Sequence, residues 1–112
     1  MEPALSDALA GHDSTGRTSR TSPIPLNVAA GFLQAMASPV RLRVIAALRG
    51  QEKNVSQLLA EIPSSQPNMS QHLAMLHKAG IVKRRRQGAS MYYSIADGDA
   101  GDMCLGVCAQ IF

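Results

Sequence analysis

Gln66-Pro-Asn-Met-Ser-Gln-His-Leu-Ala-Met-Leu-His-Lys-Ala-Gly-Ile-Val-Lys-Arg-Arg-Arg-Gln-Gly-Ala-Ser-Met-Tyr-Tyr-Ser-Ile95 reads as a helix that gives way, across Gly80, to a pair of strands. Met69, Leu73 and Leu76 recur at the spacing of one helix face. At 100° per residue Gln71, Ala74 and Lys78 fall opposite them, with Asn68 and Ser70 alongside. Ser65 is a suitable cap, Pro67 comes early enough to be tolerated, and Gly80 is a natural stop. Beyond it Ile81 to Arg86 and Met91 to Ile95 form two strand-like runs, joined as a hairpin by Gln87-Gly88-Ala89-Ser90. Lys83, Arg84, Arg85 and Arg86 are consecutive, so both faces of the first strand carry charge. Burying any of them unpaired would be prohibitive, and the hairpin must stand clear of the core.

These two elements in succession point to DNA. The major groove admits one helix, provided that an apolar face anchors it and short polar side chains face outward. Gln and Asn can make paired hydrogen bonds to adenine, Ser can reach bases or phosphates, and Ala74 permits close approach. Amides at the helix start, near Ser65 and Gln66, suit a phosphate. A polar helix face or a charge run taken alone has a plainer reading, that of solvated surface. A cationic hairpin directly after such a helix is more economically a wing that grips phosphates.

Upstream, Leu26, Ala29, Ala30, Leu33, Met36 and Ala37 recur at helical spacing and predict a first helix beginning near Pro25. Ser38-Pro39 caps and starts a second, with Leu42, Ile45, Ala46 and Leu48 as its buried stripe and Gly50 as its end. Arg41, Arg43 and Arg49 fall mostly off that stripe. Asn54 and Gln57 form a capping pair for a short third helix carrying Val55, Leu58, Leu59 and Ile62, which Pro63 stops. Downstream of Asp97-Gly98-Asp99 a last helix places Cys104, Val107, Cys108 and Ile111 on one face. The expected fold is mainly α with a small β-hairpin, a winged helix-turn-helix in the order four helices, two strands, one helix. Residues 1–24, polar and rich in Gly, Ser and Thr from Gly11 onward, are expected to be a flexible tail. Residues 25–112 would be a single DNA-binding and dimerisation domain.

Composition agrees. Aromatics make up only 4% and tryptophan is absent, so Leu, Ile, Val, Met and Ala must build the core; Met69, Met75, Met91 and Met103 read as filler there. The net charge of +3 is unevenly spread. Arg41, Arg43, Arg49, Lys53, Lys78 and the run Lys83 to Arg86 are opposed between Ser38 and Ser94 only by Glu52 and Glu61, whereas Asp97 onward holds acids and no base. That concentration is a nucleic-acid footprint. No apolar run approaches the ~20 residues of a membrane span, no secretory signal is evident, and two cysteines do not make a disulfide framework. A cytoplasmic protein is expected. An enzyme is not: of three histidines His12 lies alone in the tail, and the carboxylates sit in loops and ends, so no catalytic constellation emerges.

The run from Gln66 to Ile95, together with Ala35-Met-Ala-Ser-Pro-Val-Arg-Leu-Arg-Val-Ile45, resembles the ArsR/SmtB family of bacterial repressors over about Val28 to Asp97. The resemblance implies a homodimer whose first and last helices pack across a two-fold axis. Its recognition helices would sit one turn apart on a near-palindromic double-stranded operator. It also implies repression until an inducer weakens DNA affinity. Carried over by position, Gln66, Asn68, Ser70, Gln71 and His72 would contact DNA from the helix, and Arg84, Arg85, Arg86 and Gln87 from the wing, with Lys83 at its base. His72 leans toward the apolar flank, which suits a buttress as well as a contact.

The chain departs from the family's inducer sites. A thiolate pair on the third helix is replaced by Asn54 and Ser56, a last-helix zinc site is not completed at Gln110, and the second-helix cysteine of persulfide sensors is Ala46. What remains is Cys104 and Cys108, four residues apart on one helical face. No resident cofactor is expected, but the pair could bind a soft inducer: arsenite, antimonite, cadmium or zinc, with a second copy adding its own sulfurs. Oxidant or reactive sulfur could instead act on the same thiols. Equally, both cysteines could simply pack as small hydrophobes. A winged helix that binds protein rather than DNA is the remaining alternative.

Overall fold

The computed structural model describes residues 24–111; of the tail expected over residues 1–24, all but Ile24 lies outside them. Its described residues form, in order, α1 (Leu26–Met36), α2 (Pro39–Ala47), β1 (Lys53–Asn54), α3 (Val55–Glu61), α4 (Gln66–Lys78), β2 (Val82–Gln87), β3 (Ser90–Ile95) and α5 (Asp99–Ile111). The neighbours that the sequence nominated as caps do cap. Ser38 Oγ accepts from the Arg41 amide at 3.3 Å, and Asn54 and Gln57 complete a reciprocal capping box. Each satisfies amides that the first helical turn leaves open.

The two-stranded hairpin expected from the sequence is part of a three-stranded sheet. β1 pairs antiparallel with β3, Lys53 opposite Tyr93 and Asn54 opposite Tyr92, giving the order β1-β3-β2. Two residues are too few to show a period, which is why β1 does not announce itself. The hairpin is also tighter than read. β2 runs through Gln87 and β3 starts at Ser90, leaving Gly88-Ala89 as a two-residue turn. Gly88 has φ +63° and no non-glycine residue among the described residues has a positive φ, the pattern of a II′ turn, whose twist matches the strands it joins.

Val44, Ile45, Leu48, Leu58, Met69, Leu73, Leu76, Ile81, Val82, Tyr93, Cys104 and Cys108 form one buried core. α2 lies at its centre, packed by α1, α4 and α5, and therefore buries Val44 as well as the expected Ile45 and Leu48. α1 departs from expectation. Only Ala35 and Met36 are buried, while Leu26 and Leu33 are 88% and 56% exposed. On α5, Cys104 and Cys108 are buried but Ile111 is 55% exposed. Met75 is no core filler either: it lies on the outward side of α4, 46% exposed, whereas Met69 is fully buried.

Candidate nucleic-acid interface

α4 is seated by Met69, Leu73 and Leu76, all fully buried. Burying three such side chains stabilises its placement by roughly 1.5–3 kcal/mol each. Ser65 Oγ accepts from the Asn68 amide at 3.2 Å and fixes the first turn. With the inner face anchored, Gln66, Asn68, Ser70, Gln71, Ala74 and Lys78 are exposed together, as the helical spacing required. No acidic residue occurs on α1, α2 or α4. The helix that offers amide and hydroxyl groups outward therefore carries no carboxylate of its own.

His72 is set apart from that face. It is half-buried, and its Nδ1 lies 3.1 Å from Arg41 Nη1. Burial and then the Arg41 charge hold its imidazole below the ordinary histidine range. Arg41 is itself fastened to the end of α1. Its Nε donates to the Ala35 carbonyl at 2.5 Å and its Nη2 to the Gln34 carbonyl at 3.5 Å, with Met75 Sδ 3.4 Å from Nη1. Sequence reasoning left Arg41 aside as merely off the apolar stripe. No local signal links it to a residue 31 positions away.

The four hairpin cations are all exposed, but they are not equivalent. Lys83 pairs with Asp97 at 3.1 Å. Arg85 grips Glu52 with its Nε at 2.9 and 3.0 Å and also through Nη2, donates to Gln87 Oε1 at 2.6 Å, and lies 5.1 Å over the Tyr92 ring. The bond to Arg85 holds the Glu52 carboxyl below its usual range. The side chains of Arg84 and Arg86 have no hydrogen-bond or ion-pair partner among the described residues. The strand alternates: Lys83, Arg85 and Gln87 share one face, and Arg84 and Arg86 the other, in line with buried Val82. One face of the wing thus locks itself to the body of the protein, and the other leaves two cations for an external anion.

Cys104 and Cys108 are both fully buried. Cys104 Sγ is 3.1 Å from Met36 Sδ of α1, and Cys108 Sγ is 4.0 Å from the Leu42 carbonyl of α2. Burial, reinforced by the neighbouring Cys108, pushes the Cys104 thiol up to about 11; burial raises Cys108 too, with Arg49 opposing. Among the described residues no three His, Cys, Asp or Glu side chains gather into a metal cluster.

A capped helix with a free polar face, followed by a cationic hairpin braced on the same core, defines a winged helix-turn-helix. Residues 38–84 match the model of the "Bacterial regulatory protein, arsR family". The nodulation protein NolR of Rhizobium meliloti is 39% identical over 85 residues, covering 76% of this chain and 69% of that one. A probable mercury resistance operon repressor of Streptomyces lividans is 32% identical over 100 residues, 89% of this chain and 78% of that protein. Two further relatives are spanned over 63% and 66% of their length. The structure of HlyU from Vibrio cholerae superposes with a TM-score of 0.68 at 30% identity, covering 72% of this chain and 88% of that one. The chain belongs to the ArsR family, a family of transcriptional regulators rather than enzymes. No helix among the described residues is long and apolar enough to cross a membrane.

Proposed function

We propose that this chain is a cytoplasmic, operator-binding transcriptional repressor acting as a homodimer, with residues 25–112 as its single domain. The observation that carries the reading is the pairing of an exposed, acid-free α4 face with two unpartnered wing cations. Gln66, Asn68, Ser70 and Gln71 read base edges, with His72 beside them. Arg84 and Arg86 take phosphates, while Lys83, Arg85 and Gln87 hold the wing in place. Leu26, Leu33 and Ile111, exposed on the first and last helices, supply the dimer contact. Two recognition helices related by a two-fold axis suit a near-palindromic duplex. The test is duplex affinity against salt concentration. A steep linear fall of log affinity with log salt is expected, and binding indifferent to salt would favour a protein-binding winged helix instead.

Release is assigned to Cys104 and Cys108. The mercury operon repressor is a relative by name, and soft ions such as arsenite, antimonite, cadmium or zinc prefer thiolates. Reactive sulfur or an oxidant would act on the same pair. The sulfurs sit where α5 closes over α1 and α2, so reacting them requires lifting α5 and disturbs the helices that would form the dimer. Their full burial equally favours a second reading, plain packing, with thiols kept protonated. An operator-release assay separates the two. Wild type should release DNA with at least one of these ions or a persulfide donor, and Cys104→Ser and Cys108→Ser should not. Identical behaviour of all three proteins leaves only packing.

A further inference from the structure

Arg41 and His72 form a contact between helices that neither DNA binding nor cysteine chemistry accounts for. A guanidinium remains protonated and has donors but no acceptor. At 3.1 Å from Arg41 Nη1, His72 Nδ1 therefore accepts, and a neutral ring accepting at Nδ1 carries its proton on Nε2. Nε2 has no hydrogen-bond partner among the described residues. Nor is any side-chain nitrogen or oxygen both enclosed and unpartnered there, so the Nε2–H of this half-buried residue opens to solvent.

From this we infer that Arg41 is a positioning residue: it fixes His72 in the Nε2–H form and so presents a neutral, single-donor group from the recognition helix to an acceptor on the operator. The inference rests on the operator-binding reading and adds what His72 does within it. The acceptor is a purine N7, guanine O6 or thymine O4 in the major groove, or a phosphate oxygen. A histidine free to change tautomer would face the groove as donor or acceptor; one held by a permanent donor can only donate. Arg41 is well placed to impose this. Its fork is seated on the Gln34 and Ala35 carbonyls in the last turn of α1, where the helix end is electronegative. With no carboxylate on α1, α2 or α4, no acid on these helices draws the guanidinium away or favours an imidazolium. The same contact ties the end of α1 to α4, so movement of α1 is felt at His72.

Two measurements test it. Ring-nitrogen NMR of the 15N-labelled full chain without DNA should show His72 protonated on Nε2 alone at neutral pH, and Arg41→Ala should give mixed tautomers. An Nδ1-protonated or charged His72 in the wild type overturns the inference, and this measurement needs no variant to fold. The second is a double-mutant cycle on a duplex recovered by selection from a randomised library. Arg41→Ala and His72→Ala should each weaken binding roughly three- to tenfold, the worth of one hydrogen bond, and the double variant no more than either. Additive losses overturn it, because Arg41 would then act elsewhere. Loss confined to the selected duplex assigns a base acceptor, and equal loss on a random duplex assigns a phosphate; both sustain the donor role. A wild type that binds no duplex sinks the operator-binding reading and the recognition role with it, while the ring-nitrogen spectrum still reports the Arg41–His72 pair.

Discussion

His72 and Cys104 respond to burial in opposite directions on the pH scale, because burial favours the neutral form of each. His72 sits below its ordinary value of 6.5, so the unfolded chain takes up a proton that the folded chain resists. Its contribution to stability is therefore intact above pH 6.5 and falls as pH drops below it. No carboxylate on α1, α2 or α4 offsets this, and Glu61 of α3 is committed to Lys53. Urea midpoints measured from pH 7.5 downward should decline more steeply for wild type than for His72→Gln; parallel curves would refute the assignment. Cys104 is the mirror case. Its thiol is raised from 9.0 to about 11, so its contribution is complete below pH 9 and is lost between there and about 11. Alkylation of the native protein at neutral pH should accordingly be far slower than in denaturant. Which residue types matter was legible in the sequence, His72 and both cysteines included. Their protonation states were not, because these depend on Arg41, Met36 and Leu42, distant in sequence.

At the scale of elements, the wing divides into an anchoring face and a free face. Replacing Arg84 and Arg86 together with Gln should flatten the salt dependence of duplex binding by about two units of log–log slope per wing, roughly one per lost phosphate contact and so about four for the proposed homodimer, with the hairpin intact. Arg85→Ala should instead loosen the wing by removing the Glu52, Gln87 and Tyr92 contacts, with a smaller change in slope. Salt titrations of both variants distinguish the roles, and equal slopes would contradict the division. Gly101 is the second decisive position. A Cβ there would meet the Ala96 carbonyl oxygen at 1.9 Å, closer than any real contact, so α5 can approach the end of β3 only with glycine. Gly101→Ala should destabilise the protein by about 1–3 kcal/mol, the usual cost of overpacking, measured by denaturant unfolding. The helices were legible because each has a cap, an apolar period and a stop. β1 was not, since two residues acquire strand character only by pairing with Tyr92 and Tyr93.

For the whole molecule, the unmet apolar surface is the feature to explain. Leu26 and Leu33 face away from the core on α1, and Ile111 does so at the end of α5. On the dimer proposed above, Leu33→Asp should yield a monomer by light scattering, with duplex affinity falling because two half-sites are no longer joined. A dimer that persists would place the interface elsewhere. The apolar period of α1 was readable from the sequence, but not which partner covers it, since period reports a face and not its neighbour. The same distinction holds throughout. By itself the sequence determined the helix-turn-helix and its wing, the outward face of α4 and the concentration of positive charge, because these follow from local periodicity, capping and adjacent charges. Only the tertiary structure decided that Arg85 is held by Glu52 while Arg84 and Arg86 stay free, that Arg41 grips His72, and that both cysteines of α5 are buried against α1 and α2. Those outcomes depend on which distant side chains the fold brings within a few ångströms, and no spacing along the chain encodes that directly.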